Sequence, residues 1–182
     1  IATDSLDRPG GMRFNRGLVN RLRPPRADTG APPGPAARQE LGRVAGQLPL
    51  VALADEIDAG NVRALVLAGG NPIAAAPQPS RMRSALRRLE VLMTIDVLES
   101  ELTSLATHVL PAAGQLERAD LALAEQVSLR SVMPSTTAVL PLVAERRPVW
   151  WMFGHLARGM GLDVLGGADP DTLTDEQYLS GL

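Results

Sequence analysis

Two short apolar stretches of this sequence are each followed by residues that suit ligand binding. Gly70 and Asn71 come after the run ALVLA at 64–68, and Asp96 follows Ile95 at the end of LEVLMTID. Paired glycines leave backbone amides open to the close approach of a ligand. A carboxylate at the end of a strand binds a ribose or a base through charge-assisted hydrogen bonds. The chemistry that these residues suggest is therefore binding at one edge of a sheet.

Each of these residues also has an ordinary structural interpretation. Gly70 and Asn71 would suit a simple exit from a strand into a loop, with no ligand present. Asp96 would suit the N-cap of a following helix. Both alternatives stay open on the sequence alone.

The elements that would position these residues form a strand, a helix and a second strand. Five apolar residues at 64–68 without polar alternation predict a strand that is covered on both faces. The segment 79–89 predicts a helix with three apolar side chains on one face: Met82, Leu86 and Leu89. Such a parallel crossover is normally right-handed, so Gly70 and Asp96 are expected side by side at the carboxyl edge.

A third parallel strand is predicted at 108–110, after a helix at 98–106. The charged loop 114–120 follows on the same edge, where Arg118 could meet a phosphate or nucleotide oxygen. The alternative for Arg118 is a surface pair with its acidic neighbour. The fold class that these elements predict is a three-layer α/β domain with a mostly parallel sheet.

The first part of the chain, Ile1–Gln47, has many Gly and Pro turn signals and predicts a loop-rich connecting segment. Arginines outnumber aspartates there, which suits either phosphates or ordinary solvated loop charge. Short helices are expected at 36–45 and at 50–59, the second of which stops at Gly60.

The last third of the chain predicts a short strand at 127–133, an irregular crossing at 136–148 and a helix at 149–162. Helical spacing assigns four residues of that helix to a core face: Trp150, Phe153, Leu156 and Met160. His155 is expected at the surface or in a supporting position rather than as a catalyst. A turn and a small acidic helix are expected at 166–182.

Composition limits the function classes. The 182 residues are enough for one full core, and a net charge of −2 gives no general attraction to nucleic acid. The absence of cysteine excludes disulfides and thiolate metal sites within the chain, and two histidines in separate segments make a histidine metal cluster unexpected. No apolar run approaches the roughly 20 residues that span a membrane, so a soluble, cytoplasmic chain without membrane insertion is expected. We also expect it to be a piece of a longer protein.

Five motifs in one order carry a resemblance to a known family. They are DRPGGM at 7–12, ALVLAGGNP, VLMTIDVLESE, HVLPAAGQLER and a Pro-Val-Trp helix that ends in a Met-Gly turn. This order resembles that of molybdopterin oxidoreductases of the dimethyl sulfoxide reductase and formate dehydrogenase type. The resemblance implies an interior Rossmann-like domain at 48–182, after the connecting segment 1–47. That domain grips one of two molybdopterin guanine dinucleotides in the family.

The resemblance also implies the cofactor-binding positions. Asn71 matches the Asn after the first strand, Ile95 and Asp96 match the pair at the end of the second, and Arg118 matches a basic residue further on. With Gly70, these residues form the predicted cofactor site; no catalytic residue or metal ligand is assigned. The sequence departs from the family pattern at two positions and in one segment: Leu102 stands for Thr, Thr107 stands for Asp, and LALAEQVSLR lacks the usual Asn and Gly but keeps Arg130.

The implied function is part of a molybdenum-dependent oxidoreductase. The chain would bind one molybdopterin guanine dinucleotide of the bis form and position it for two-electron or oxygen-atom transfer at a metal held elsewhere. Its partners would be the remaining domains of the same polypeptide and an electron-transfer subunit, with an iron–sulfur cluster elsewhere in the protein. The alternative is a non-catalytic scaffold domain of a respiratory NADH dehydrogenase large-subunit relative, and an unrelated nucleotide-binding domain is a third.

Overall fold

The computed structural model describes residues 35–42, 48–121 and 135–180, which fall into two compact units. The described residues of the larger unit are 35–42, 48–113 and 143–162. Those of the smaller unit are 114–121, 135–142 and 163–180. The strand expected at 127–133 and most of the connecting segment 1–47 lie outside the described residues, so the boundary at residue 47 stays a prediction.

The larger unit is built on a three-stranded parallel sheet. Its strands are β1 (Ala64–Ala68), β2 (Val91–Asp96) and β3 (His108–Pro111), in the order β1-β2-β3. Both pairs are parallel, with Ala68 opposite Ile95 in β2. The α/β class and the three predicted parallel strands are confirmed.

Among the described residues, four α-helices accompany this sheet. A 3₁₀ turn at Leu50–Ala52 leads into α1 (Leu53–Asp58), and α2 (Pro72–Ala75) follows β1. The crossover from β1 to β2 is completed by α3 (Pro79–Leu86), and α4 (Val149–Gly159) comes last. The helices predicted near 50–59, 79–89 and 149–162 are therefore present, each shorter than its pattern.

One face of the sheet packs against α1 and α3. Leu92 of β2 belongs to the same buried cluster as Ile57 and Ile73. The three residues predicted on one face of the crossover helix, Met82, Leu86 and Leu89, are all buried in that cluster. Burying a side chain of this size stabilises the fold by about 1.5–3 kcal/mol, so this face supplies much of the core.

The opposite face packs against α4, through residues other than those predicted. Met152 is buried with Ile95 of β2, and Val149 and Trp151 pack beside them. The predicted core face of Trp150, Phe153, Leu156 and Met160 is wrong: Phe153 is 40% exposed and Met160 is 69% exposed. The helix is apolar on most sides, so its pattern could not choose which stripe meets the sheet.

β1 is covered on one face only, which corrects the prediction of a strand buried on both. Leu65 and Leu67 pack against the cluster with Leu92, whereas Ala64, Val66 and Ala68 are exposed. The reason is position: β1 lies at the edge of the sheet, while α4 packs over β2 and β3. Val66 is 42% exposed.

The helix predicted at 98–106 is absent, and hydrogen-bonded turns stand in its place. Ser100 Oγ accepts from Leu102 N at 3.2 Å, and Thr103 Oγ1 donates to the Ser100 carbonyl at 2.6 Å. Ser104 Oγ donates to the carbonyl of Glu101 at 2.7 Å. Side chains that bond nearby backbone groups compete with a helix, and here they favour the turns.

The helix predicted at 36–45 is also wrong over its described part, because 36–42 forms bends and turns. Ala37 N donates to Glu56 Oε1 on α1 at 2.7 Å. This contact fixes the segment against α1.

The smaller unit contains a short antiparallel pair, β4 (Asp120–Leu121) with β5 (Ser135–Thr136), and α5 (Asp175–Ser180). Thr174 and Gln177 form a capping box at the start of α5, since each side chain bonds the backbone N–H of the other residue. The acidic helix predicted within 166–182 is confirmed. Residues 137–142 of this unit are irregular, and so are residues 143–146 of the larger unit, as expected for the crossing.

Candidate ligand-binding edge of the sheet

The carboxyl ends of β1 and β2 lie side by side in the larger unit. Gly69 N donates to the carbonyl of Ile95 at 2.8 Å, which continues the ladder one step past β1. Gly70 and Asn71 therefore leave the sheet beside Asp96, as the crossover predicts. Ligand contact by these residues stays a prediction.

Both glycines at the end of β1 adopt the left-handed backbone conformation. Gly69 has φ +70° and Gly70 has φ +81°, values that other residues rarely adopt. A Cβ built on either glycine would meet no heavy atom within 4 Å. The left-handed backbone thus explains why both positions are glycine, and the space beside them is open to a ligand.

Asn71 is the N-cap of α2. Its backbone is extended, and its Oδ1 accepts from Ile73 N at 2.9 Å and from Ala74 N at 3.3 Å. Nδ2 donates to Glu101 Oε1 at 3.2 Å. The amide oxygen is thus used by the helix, and one Nδ2 hydrogen has no acceptor among the described residues. An Asn before a Pro at the first helical position is a capping signal, so the sequence contained this role.

Glu101 connects Asn71 to the crossover helix and was missed as a site residue. Arg83 Nη2 of α3 donates to Glu101 Oε2 at 2.5 Å. The hydrogen bond from Arg83, and then that from Asn71, holds the pKa of Glu101 below its usual range. Because these residues are 18 and 30 positions from Glu101, no local spacing reveals the contact.

Asp96 ends β2 with a half-buried side chain. Its Oδ1 accepts from Val97 N at 2.7 Å, and its backbone carbonyl accepts from Ala112 N at 2.9 Å. The alternative of a helix cap is wrong, because turns follow Asp96. Oδ2 accepts no hydrogen bond from the part of the chain that the structure describes, so one carboxylate oxygen is available to a ligand.

Ile95 supports this edge through its backbone. Its side chain is 1% exposed and packs with Met152, while its carbonyl accepts from Gly69 N. A ligand at the edge would therefore not reach the Ile95 side chain.

Arg118 lies in the smaller unit, whereas Asn71 and Asp96 belong to the larger one. Its Nη2 donates to Asp120 Oδ2 at 2.9 Å, and its buried Nε has no hydrogen-bond partner among the described residues. Its preceding neighbour Glu117 instead accepts from Gly114 N at 2.8 Å. The surface pair thus forms with Asp120, and a ligand contact by Arg118 stays a prediction.

Within 35–42, 48–121 and 135–180, no group of three or more His, Asp or Glu side chains could hold a metal ion. None of the helices found there has the length and apolar character to cross a bilayer.

His155 lies against Trp151, with ring centroids 4.2 Å apart, and its supporting role stays a prediction.

A parallel strand–helix–strand unit within a three-stranded parallel sheet defines the class of this unit as an α/β domain. The sequence model of the family described as molybdopterin oxidoreductase matches residues 18–159. The chain belongs to this family.

Individual relatives agree with that assignment. The chain is 28% identical over 110 residues to the assimilatory nitrate reductase catalytic subunit of Bacillus subtilis, covering 59% of this chain and 14% of the relative. It is 30% identical over 108 residues to trimethylamine-N-oxide reductase of Haemophilus influenzae, covering 59% and 13%. It is 37% identical over 62 residues to NADPH-Fe(3+) oxidoreductase subunit alpha of Geobacter sulfurreducens, covering 34% and 7%. The matched region is thus a small part of each relative.

Proposed function

We propose that this chain is the interior dinucleotide-binding part of a molybdenum-dependent oxidoreductase. In this proposal Gly70, Asn71 and Asp96 hold the guanosine end of one molybdopterin guanine dinucleotide, and Ile95 supports them through its backbone. Family membership supports the cofactor class. One observation supports this site most directly. Asp96 lies beside the open glycine turn, and its Oδ2 accepts no hydrogen bond from a described residue.

Guanine has a donor pattern that suits this carboxylate. Its N1–H and exocyclic amino group can both donate to one carboxylate, and such charge-assisted pairs are about twice as strong as neutral ones. Gly69 and Gly70 have no side chains, so a ribose or phosphate can approach their backbone closely. The residues present therefore fit the nucleotide end of the cofactor.

The roles of the other groups follow from the same assignment. Asn71 donates its second Nδ2 hydrogen to an oxygen of the nucleotide, and Ile95 keeps the two strand ends together through its carbonyl. Arg118, in the smaller unit, is the proposed contact for a cofactor phosphate through its guanidinium.

When bound, the molybdenum cofactor supplies the two-electron or oxygen-atom transfer, and this chain binds and orients its nucleotide tail. The proposed partners are the remaining domains of the same polypeptide and an electron-transfer subunit that exchanges electrons through an iron–sulfur cluster.

The test uses Asp96→Ala and Asp96→Asn in the full-length protein, with molybdenum and released guanine nucleotide measured per protein after prolonged dialysis. A lost charge-assisted hydrogen bond costs roughly 1.5–3 kcal/mol, so Asp96→Ala is expected to weaken retention about 10- to 100-fold. Asp96→Asn keeps the shape and should affect retention more than thermal stability.

Glu99→Ala is the matched control, because Glu99 is exposed three residues away and forms no hydrogen bond with a described residue. Wild-type retention in both Asp96 variants at unchanged thermal stability would contradict the assignment. Full-length protein that purifies without molybdenum or guanine nucleotide would instead favour the scaffold role.

A further inference from the structure

Three side chains from separate segments form one hydrogen-bond network next to the candidate site. Arg83 of α3 donates to Glu101 Oε2 at 2.5 Å, and Asn71 Nδ2 donates to Glu101 Oε1 at 3.2 Å. The carboxylate thus uses one oxygen for each partner. It connects the turn after β2 to both the crossover helix and the loop after β1.

The hydrogen bonds of Asn71 fix which way its side-chain amide faces. In the observed orientation Oδ1 meets two backbone N–H donors, from Ile73 and Ala74, and Nδ2 meets the acceptor Glu101. A flipped amide would set Oδ1 against a carboxylate oxygen and Nδ2 against the two N–H donors. Every contact would then join like with like, so only one orientation is satisfied.

Arg83 keeps Glu101 suitable for this task. Its guanidinium favours the ionised carboxylate, so the pKa of Glu101 lies below its usual range. A glutamate at its ordinary pKa is already ionised near neutral pH, and the lowered pKa keeps Glu101 an acceptor only, with no proton that could reverse its contact with Asn71, to lower pH.

We propose that Glu101 is a positioning residue of the nucleotide site. It fixes the Asn71 amide so that one Nδ2 hydrogen remains for an acceptor oxygen of the bound nucleotide, and this role rests on the function proposed above. Glu101 itself does not touch the ligand.

The first test replaces Glu101 with Gln in the full-length protein. Gln offers one acceptor oxygen where Arg83 and Asn71 each need one, so one of the two donors loses its partner. Retention of guanine nucleotide after dialysis is expected to fall about 3- to 10-fold at an unchanged thermal midpoint. Glu99→Gln, the same change at an exposed position of the same segment, should match wild type.

A double-variant cycle then tests whether Glu101 acts through Asn71. Asn71→Ser keeps a side-chain oxygen that can cap α2 and removes both Nδ2 hydrogens. If Glu101 only positions that amide, the double variant should lose no more nucleotide than Asn71→Ser alone, within about twofold. Multiplying losses would overturn the inference, since Glu101 would then act independently of Asn71.

The remaining outcomes separate this inference from the function on which it rests. Normal retention in Glu101→Gln together with loss in Asn71→Ser overturns only the positioning role. Normal retention in Asn71→Ser overturns the ligand contact at Asn71, and the inference fails with it. A lower thermal midpoint in Glu101→Gln that accounts for the whole loss would show that Glu101 is merely structural.

Discussion

Among the described residues of the larger unit, five carboxylates form ion pairs with arginine side chains, and Asp96 is not one of them. These carboxylates are Glu40, Asp55, Asp58, Glu90 and Glu101. Asp96 instead accepts one backbone N–H and has no arginine partner among the described residues. A carboxylate without a cation can accept donors from a ligand, whereas a paired one would first have to give up its arginine. This difference is why Asp96 is the strongest ligand candidate at the sheet edge.

The paired carboxylates predict how the larger unit responds to acid. Hydrogen bonds from Arg81 and then Arg38 lower the pKa of Asp55, and the Arg63 hydrogen bond does the same for Glu90. A depressed folded pKa contributes stability above the unfolded values of 3.8 and 4.5, which is lost as pH falls through the folded pKa. Protection of β2 amides from hydrogen exchange, corrected for the intrinsic rate, should therefore be constant from about pH 8 to 5 and fall below about pH 4.

The Asp55→Asn variant tests the source of that acid sensitivity. Its exchange protection should be lower than wild type at pH 7 and should fall less between pH 5 and pH 3, while Glu99→Gln follows wild type. A steeper fall in Asp55→Asn would show that other groups control the acid response.

Gly70 provides a test of backbone conformation. With φ +81° and open space around it, Gly70→Ala meets no steric clash but must hold a left-handed backbone, at a cost of roughly 1–2 kcal/mol. Gly42→Ala is the matched control, because Gly42 has no positive φ and equally open surroundings. Exchange protection near α2 should fall in the first variant and stay within error in the second. Equal effects would mean that conformation does not explain the glycine.

Single residues were predictable from sequence where local rules decide their role. Paired glycines after an apolar run and an Asp after the next run require only the sequence around them, and both lie at the predicted edge. The link from Arg83 through Glu101 to Asn71 depends on folding, because its partners are 18 and 30 residues apart. Arg118 was predicted to pair with its adjacent acidic neighbour, and its guanidinium instead donates to Asp120, two residues further on.

Among the elements, predictions succeeded where one periodicity dominates. The crossover helix has one apolar face, and the three parallel strands are short apolar runs bounded by turn residues. The helix prediction for 98–106 failed because Ser100, Thr103 and Ser104 form hydrogen bonds with nearby backbone groups, which favours turns over a helix. The prediction of which face of α4 is buried failed because apolar residues surround most of that helix.

The packing of the crossover helix predicts a clear difference in stability between a substitution at its own Met82 and one at Met160, just after α4. Met82 is buried in the core, so Met82→Ala should destabilise the larger unit by about 2–5 kcal/mol through lost burial and a cavity. Met160, just after α4, is 69% exposed, and Met160→Ala should change stability by less than about 0.5 kcal/mol. Hydrogen exchange of the β1 and β2 amides measures both. Similar effects would contradict the packing described for this face.

For the molecule as a whole, the matched region covers at most 14% of the relatives named above. In the function proposed above, this chain is one part of a larger protein, and the metal is held by another part. The sequence itself contains no cysteine and only two histidines, in separate segments. Binding of the nucleotide and chemistry at the metal are expected to belong to different parts of the polypeptide.

That division predicts the behaviour of the 182-residue chain by itself. The cofactor performs the redox chemistry in such enzymes. In the proposed function this chain binds only the nucleotide tail of the cofactor, and its sequence has no cysteine and only two histidines. Purified alone, it should show no turnover with artificial electron donors or acceptors, at protein concentrations where the full-length enzyme is measured easily. The full-length Asp96→Ala variant is the useful comparison, because it should lose activity in proportion to its lost molybdenum while the fragment has none to lose. Reproducible turnover by a metal-free preparation of the fragment would contradict the prediction and place a redox site within these residues.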